Sequence, residues 1–178
     1  EEDLAEYCDV FCENGYFSID DSRKILQSAK DHGLSVRLHA DEFEDSGAAE
    51  LAAELGAISA DHLMAVSDSG IKSMSEKGVI ATLLPGTTLF LGKTNYANGR
   101  KMIDNGCNVA LASDFNPGSC TIQSMPIIIS LACLYCGLNI EEAFIASTWN
   151  GARSIEREKI IGAIDVGYQA DLLFINLD

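Results

Sequence analysis

The sequence has little positive charge. It contains 12 lysine and arginine residues against 27 aspartate and glutamate residues, which gives a formal net charge of -15 at pH 7. A chain this acidic repels phosphate backbones and anionic lipid surfaces. We therefore expect neither a nucleic acid nor a membrane surface as its partner.

Long apolar runs and a leader segment are also missing. A membrane-spanning helix needs about 20 consecutive apolar residues, and the longest apolar segment, around residues 125–136, contains Ser130 and is shorter. The first residues, Glu1, Glu2 and Asp3, do not form a basic region followed by an apolar one, which predicts no signal peptide. We expect a cytoplasmic protein, and the absence of an initiator methionine predicts a further segment upstream.

The cysteines lack the pattern of a disulfide framework or a zinc ribbon. A ribbon needs a second Cys-x-x-Cys pair besides Cys133-x-x-Cys136, and a redox pair belongs at the start of a helix instead of within one. Most of the cysteines lie inside apolar segments, which predicts reduced core thiols. The six are Cys8, Cys12, Cys107, Cys120, Cys133 and Cys136.

What the sequence does contain is an alternation of apolar, β-rich runs with helical runs that mostly end at glycine. This pattern is typical of a parallel sheet with crossover helices, an α/β fold. It predicts strands at 9–12, 35–39, 58–62, 79–84 and 108–112, and helices at 18–32, 46–55, 67–77, 96–105, 121–136 and 140–152. The tail from 161 to 177 differs, and its run 170–175 predicts a final strand outside the repeating part.

Two architectures give this alternation: half of a (β/α)₈ barrel and a small doubly wound sheet. A complete barrel typically needs about 250 residues, so the 178 residues here cannot form one. Periodicity alone does not choose between the two.

Ligand-type side chains recur where the predicted strands end. His39, His62 and Asp114 each end a strand, and Glu42 follows His39 closely. The carboxyl ends of strands in βα folds face one crevice, where active sites form. Each residue alone also has a structural interpretation; Asp61 and Asp114, for example, could cap the following helices. Together they favour a metal site or an acid–base site.

Metal-assisted hydrolysis uses this set of side chains. Zinc and iron both accept imidazole nitrogen and carboxylate oxygen, and the pKa of the bound water falls to about 7. A neighbouring carboxylate or imidazole must then take and return a proton. His39 and Asp114 supply two ligands, fewer than the three that are usual at catalytic zinc.

Five segments resemble the imidazolonepropionases: 37–42, 50–57, 59–63, 83–87 and 113–119, of which the last, Ser-Asp-Phe-Asn-Pro-Gly-Ser, is the most specific. The segment 162–172 is similar to the closing segment of the wider amidohydrolase superfamily, where it leads into a small β-sandwich. The resemblance implies the C-terminal half of a metal-dependent (β/α)₈, TIM-like barrel in residues 1–160. Residues 161–178 would then begin the sandwich segment.

The same resemblance implies an activity and roles for individual residues. The enzyme would hydrolyse the small molecule 4-imidazolone-5-propanoate to N-formimino-L-glutamate in histidine degradation, with one zinc or iron ion, as a homodimer. His39 on the fifth strand and Asp114 on the eighth would bind the metal. His62 would hydrogen-bond the attacking water, and Glu42 would contact the substrate ring and is a candidate proton relay. The general base stays open among Glu42, His62 and Asp114.

The loop after Asp114 would hold the substrate and product: Asn116 and Gly118 would bind product-like groups and Ser119 the substrate. The resemblance also implies features that belong to the N-terminal half of the family's enzymes, which this chain would lack. They are the His-x-His metal pair of the first strand, the Arg and Tyr that hold the propanoate, and a further substrate-binding His. No His-x-His occurs in the sequence. We therefore expect the chain alone to bind metal weakly and to lack activity.

Two other interpretations stay open. Another amidohydrolase, such as a cyclic-amidine deaminase, would share His39, His62 and Asp114 but should lack Asn-Pro-Gly-Ser after the aspartate. A non-enzymatic βα binding module would use the same strand-end residues only for structure.

Overall fold

The computed structural model describes residues 4–175 as five strands and eight helices. The strands are β1 (Tyr7–Cys12), β2 (Ser35–Ala40), β3 (Ser59–His62), β4 (Ile80–Leu83) and β5 (Val109–Leu111). The helices are α1 (Ile19–Asp31), α2 (Ala48–Leu55), α3 (Asp68–Lys77), α4 (Pro85–Phe90), α5 (Gly99–Asp104), α6 (Met125–Tyr135), α7 (Ile140–Ser147) and α8 (Trp149–Arg153).

The strands form one parallel sheet in the order β1-β2-β3-β4-β5. In a doubly wound sheet the strand order reverses at a switch point, whereas here every strand pairs with its neighbour along the chain. The sheet therefore has the order of a (β/α)₈ barrel wall, and the alternative that periodicity left open, a doubly wound sheet, is wrong.

The two faces of the sheet differ in chemistry. On β2, Val36, Leu38 and Ala40 are buried in the hydrophobic core beneath the helices. The alternate residues, Arg37 and His39, lie on the opposite face and are only partly buried. The register pairs Arg37 with Ser59 and His39 with Asp61, so that polar side chains continue across this face. We call it the inner face.

The helix ends follow the sequence signals closely. Ser18 caps α1 by accepting a hydrogen bond from the amide of Asp21, and Ser67 caps α3 through the amide of Gly70. Gly56 and Gly78 end α2 and α3 in the left-handed region, with φ of 63° and 73°. A residue without Cβ adopts this conformation at little cost.

The segment between β4 and β5 differs from the prediction. Pro85 and Gly86, which directly follow the predicted strand 79–84, open the short helix α4, which was not predicted; proline is favoured in the first turn of a helix. The predicted helix 96–105 begins only at Gly99, where Asn98 provides the cap by accepting from the amide of Lys101. A Cβ at Gly99 would lie 2.5 Å from Leu138, so α5 begins against the loop between α6 and α7.

The C-terminal predictions also change. The predicted helix 140–152 is two helices, α7 and α8, since Thr148 has φ -120° and ψ -85°. The predicted strand 170–175 is wrong: the described residues 161–175 contain no strand. A strand needs a partner, and this run has none in the described chain, where Leu173 and Phe174 are 82% and 89% exposed. The last two residues of the predicted tail, 176 and 177, lie outside the described residues, and the sandwich segment stays a prediction.

Two further features bear on the composition. All six cysteines are free, as expected, and burial raises the pKa of Cys136 to about 12, which makes its thiol unreactive. Among residues 4–175, no helix combines the length and the apolar character that crossing a bilayer requires.

Candidate active site

A cavity of about 430 Å³ lies at the carboxyl ends of the strands. Six of the seven residues that the sequence singled out contribute to its lining: His39, Glu42, His62, Asp114, Asn116 and Ser119. The remaining lining residues are Phe11, Tyr16, Phe43 and Leu91. Gly118 belongs to the same loop as Asn116 but does not line the cavity. The structure thus brings the strand-end residues together, while their individual roles stay predictions.

The two histidines face each other across neighbouring strands. The ring centroids of His39 and His62 are 5.1 Å apart. Nδ1 of His39 lies 3.0 Å from Oδ2 of Asp9 on β1, although the two atoms are not aligned as a hydrogen bond. Burial lowers the pKa of His39, but the neighbouring carboxylates of Asp9, Asp61 and Glu42 outweigh it and the pKa is raised.

The pKa values of Glu42 and His62 are shifted in opposite directions from their usual values. Burial raises the pKa of Glu42 to about 7; the charge of His39 acts against this, and the charge of Asp114 adds to it. Burial, and then the charge of His39, lower the pKa of His62 to about 4. Oε1 of Glu42 is 3.7 Å from Nδ1 of His62. At neutral pH this pair combines a neutral imidazole with a carboxyl group that can readily gain or lose a proton.

Asp114 is held by Thr87 of α4 and by a hydrogen-bond network within its own loop. The hydroxyl of Thr87 donates to Oδ2 of Asp114, and Nδ2 of Asn116 donates to the Asp114 carbonyl oxygen at 2.7 Å. Oδ1 of Asn116 accepts from the amides of Gly118 and Ser119, both at 2.8 Å. Asn116 and Gly118, which we predicted to bind product-like groups, are therefore hydrogen-bonded to each other.

Asp61 and Asp114 do not cap the helices that follow them, so the structural interpretation of these two residues is wrong. Asp61 accepts from Arg37, whose Nη2 lies 3.1 Å from Oδ2. Burial raises the pKa of Asp61, and Arg37 partly offsets this increase. Helix α3, which follows Asp61, is capped by Ser67 instead. Asp114 is followed by the loop that leads to α6.

Backbone strain is concentrated at the same strand ends. Asp41, His62 and Asp114 have φ of 48°, 79° and 53°, in the left-handed region. Such conformations are uncommon for residues other than glycine and cost of order 1–3 kcal/mol each. Strain of this kind clusters at functional sites, because there the surrounding structure is built to hold a particular side-chain direction.

A second acidic group lies nearby. Ligand atoms of Asp41, Asp45 and Glu50 lie within 4.8 Å of one another, and among the described residues no other group of three His, Cys, Asp or Glu does so. The carboxylate of Asp41 is fully buried and accepts from the amides of Ser46, Ala48 and Ala49. Asp41 thereby anchors the start of α2, so its oxygens are already committed.

The residues in the cavity fit part of a metal site. His39 has one nitrogen beside Asp9, which leaves Nε2 for a metal, as a carboxylate–histidine pair does at many metal centres. The carboxylate of Asp114 borders the same cavity. His39, His62 and Asp114 do not converge as tightly as the acidic group does. Among the described residues of the cavity wall, an imidazole nitrogen of His39 and the carboxylate of Asp114 could therefore serve as metal ligands.

Sequence reasoning missed several contributors to this site, among them the apolar and aromatic lining residues Phe11, Tyr16 and Leu91. Thr87 donates a hydrogen bond to Asp114, Asp9 lies beside His39, and Phe43 lines the cavity. Asp9 carried a usable signal, since it lies two residues before Phe11 on a strand whose alternate residues share one face. Nothing near Thr87 in the sequence pointed to Asp114, which is 27 residues away.

A parallel barrel wall with histidine and aspartate at its strand ends is an arrangement that metal-dependent hydrolases can use. The model of the Amidohydrolase family matches residues 15–178. The chain belongs to the amidohydrolase family.

Within that family, the chain is similar to imidazolonepropionases, as its segments suggested. It is 56% identical to the imidazolonepropionase of Bacteroides thetaiotaomicron over 178 residues, which is 100% of this chain and 42% of the relative. The imidazolonepropionase of Geobacillus thermodenitrificans is 53% identical over 173 residues, 97% of this chain and 41% of the relative. The chain thus spans about two fifths of the length of the curated relatives it matches.

Solved structures confirm the fold alone. An adenosine deaminase from Xanthomonas campestris with bound zinc superimposes with a TM-score of 0.73 at 21% identity, covering 88% of this chain and 40% of the deaminase. The guanine deaminase of E. coli gives a TM-score of 0.66 at 19% identity, covering 85% and 39%.

Proposed function

We propose that the protein is a metal-dependent hydrolase that opens 4-imidazolone-5-propanoate to N-formimino-L-glutamate in histidine degradation. One observation carries the proposal: His39, Glu42, His62 and Asp114 meet in one cavity, in a chain similar to imidazolonepropionases along its whole length. The activity belongs to the whole protein, of which these residues would form one part of the site.

The chain would form the second half of the barrel, with residues 161–178 leading into the β-sandwich. His39 lies on β2 and Asp114 just beyond β5, three strands later in the sheet order. That separation agrees with the fifth and eighth strands of a complete barrel. The absence of a His-x-His pair from the sequence supports the same assignment.

In this mechanism His39 and Asp114 would hold a zinc or iron ion, together with ligands from the first half. When bound, such an ion would supply an acidified water, with its pKa lowered to about 7. His62, neutral because its pKa is lowered, would orient that water through a hydrogen bond. Glu42, with a pKa of about 7, would take the proton and return it to the ring nitrogen as the ring opens.

The loop 116–119 would border the substrate. The described cavity wall contains no arginine or lysine, so the cation that pairs with the propanoate would come from the first half. Asn116 and Gly118 would meet the product after exchanging the hydrogen bond between them, and Ser119 would contact the substrate directly. A homodimer is also expected, and the exposed apolar residues Leu134 and Phe144 on α6 and α7 support association.

The test uses the protein expressed from its complete coding sequence. We expect opening of 4-imidazolone-5-propanoate, about one zinc or iron per chain by elemental analysis, and no deamination of guanine or cytosine. Deaminase activity without ring opening would replace the proposal by the cyclic-amidine deaminase. The absence of both metal and turnover would favour the binding module.

A further inference from the structure

Three aromatic residues line one side of the cavity, and none of them has a role in the mechanism above. The ring of Phe11 lies 4.1 Å from that of Tyr16, 6.4 Å from that of Phe43 and 5.2 Å from that of His39, centroid to centroid. Tyr16 and Phe43 are 63% and 45% exposed. We call Phe11, Tyr16 and Phe43 the aromatic wall.

A buried glutamate fixes the wall to the barrel. Glu13 is 2% exposed, and its Oε2 accepts from the amide of Phe43 at 2.8 Å. Its backbone carbonyl accepts from the amide of Tyr16 at 3.0 Å. A buried carboxylate that accepts amide hydrogen bonds is strongly held, because losing them would leave a buried charge unpaired. Glu13 thus connects the loop after β1 to the loop after β2 and sets the positions of both exposed rings.

The rest of the cavity restricts what can lie against these rings. The other side is acidic and polar, with Glu42, Asp114 and Asn116, and the lining holds no lysine or arginine. An anionic group is therefore disfavoured beside Glu42 and Asp114. A planar ring that is uncharged, and that carries hydrogen-bonding groups on its edge, satisfies both sides, since its face can stack on the aromatic wall while its edge meets the polar side.

We propose that the aromatic wall is the specificity-determining surface that stacks against the planar ring of the substrate, and that Glu13 is the residue that positions it. The identity of the ring as an imidazolone rests on the proposed function. The wall binds the ring in the ground state and takes no part in proton transfer, so its loss weakens binding more than it slows the chemistry.

The first test substitutes single wall residues in the complete protein. Tyr16→Leu and Phe43→Leu should each raise KM about fivefold, which corresponds to the ~1 kcal/mol that an aromatic pair contributes. The value of kcat and the metal content should stay as in the parent protein. Phe17→Leu is the matched control, because Phe17 is exposed beside Tyr16 but does not line this cavity. Unchanged KM in both wall variants would overturn the proposal.

Direct binding separates this inference from the proposed function. Calorimetry with 3-(imidazol-4-yl)propanoate, which keeps the planar ring, should show about fivefold weaker binding in each wall variant, whereas acyclic glutarate should bind all variants alike. Ring-selective loss in a protein that does not open the imidazolone would refute the proposed function and retain the wall. Equal loss for both ligands, or no loss for either, would refute the wall even in an active enzyme.

Glu13 requires its own comparison. Glu13→Gln should raise KM without a matching fall in kcat, and combining it with Phe43→Leu should add little, because both changes act through the same ring. Full additivity of the two effects would show that Glu13 acts elsewhere. Asn14→Ala is the control, since its exposed side chain donates a hydrogen bond to Glu44 and does not line this cavity.

Discussion

At the scale of single residues, the site depends on side chains that hold other side chains. Thr87 is fully buried and donates its hydroxyl hydrogen bond to Asp114, the candidate metal ligand from the strand end. Loss of a residue that orients a metal ligand commonly lowers metal affinity by about 10- to 100-fold. Thr87 therefore belongs to the candidate site although it touches neither substrate nor metal.

Thr87→Val tests this role with almost no change in volume. We expect metal affinity, measured by competition with a chelator, to fall about 10- to 100-fold in the complete protein. Thr88→Val is the control, because Thr88 is equally buried and lies next in the chain without contacting Asp114. Equal effects of the two substitutions would mean that only packing had been disturbed.

Glu42→Gln removes the candidate proton relay and keeps its shape. We expect kcat to fall by a factor of about 10² to 10⁴, the usual contribution of a general acid–base group, while the metal stays bound. The matched control is Glu44→Gln in the same loop, where the carboxylate is exposed. Steady-state kinetics and elemental analysis provide the two readouts, and an active Glu42→Gln enzyme would move the relay to His62 or Asp114.

The residue scale also marks how far sequence reasoning reaches. His39, His62 and Asp114 could be placed near one another, because the ends of parallel strands share an edge. Thr87 could not, since its partner is reached only through the packing of α4 against the loop after β5. The pKa values of Glu42 and His62 depend on burial, and burial is a property of the assembled cavity.

At the scale of elements, α7 shows how a local signal stabilises a whole helix. The Asn139 side chain accepts from the amide of Glu142, and Glu142 accepts from the amide of Asn139 and from Arg100 on α5. This reciprocal cap joins the start of α7 to α5. The amide hydrogen bond from Asn139, followed by Arg100, lowers the pKa of Glu142 from its usual 4.5.

A lowered carboxyl pKa fixes the sign of the pH effect. The stabilisation by Glu142 is fully present above pH 4.5, its usual pKa, and is lost as the pH falls through the lower folded-state value. We expect Glu142→Gln to cost about 0.5 kcal/mol at pH 7, since glutamine can keep the cap hydrogen bond and loses the charge that faces Arg100. The difference from the parent protein should shrink below pH 4.5. Thermal unfolding at several pH values measures it, with Glu141→Gln as control. A pH-independent difference would contradict the charged cap.

Elements were predicted well where the signal was local and poorly where it was not. The capping serines and glycines of α1 and α3 delimit those helices in the sequence itself. Helix α4 was missed because Pro85-Gly86 is compatible with a turn as well as with a helix start. The close packing of Gly86, where a Cβ would lie 2.8 Å from Ile128, is not visible in the sequence. The strand at 170–175 failed because strand pairing requires a second segment.

At the scale of the whole molecule, the sheet has two unpaired edges. β1 and β5 end the strand order, and neither pairs with another strand on its outer side in the described chain. Unpaired edges present free amide and carbonyl groups that tend to recruit other strands. The five-stranded sheet is therefore suited to pair with further β-strands at its two edges.

The isolated chain of 178 residues should accordingly be inactive. We expect no detectable ring opening, weaker metal binding than in the complete protein, and association into larger species on size-exclusion chromatography. Turnover assays and elemental analysis on the same preparation measure the first two. Measurable turnover by this chain would show that its own residues suffice, and it would remove the need for ligands from the rest of the protein.

The polar inner face has a consequence for how the polypeptide reaches its native state. During collapse, burial of the face that bears Val36, Leu38 and Ala40 is favourable because these side chains are apolar. Burial of Arg37 or Asp61 without its partner would leave an unpaired charge away from water, which is costly. The helices should therefore gather on one side first, and the opposite side should stay hydrated until its acidic and basic groups meet. In such an order, the helix-covered face of the sheet would be desolvated while the inner face is still hydrated, before the active site has formed.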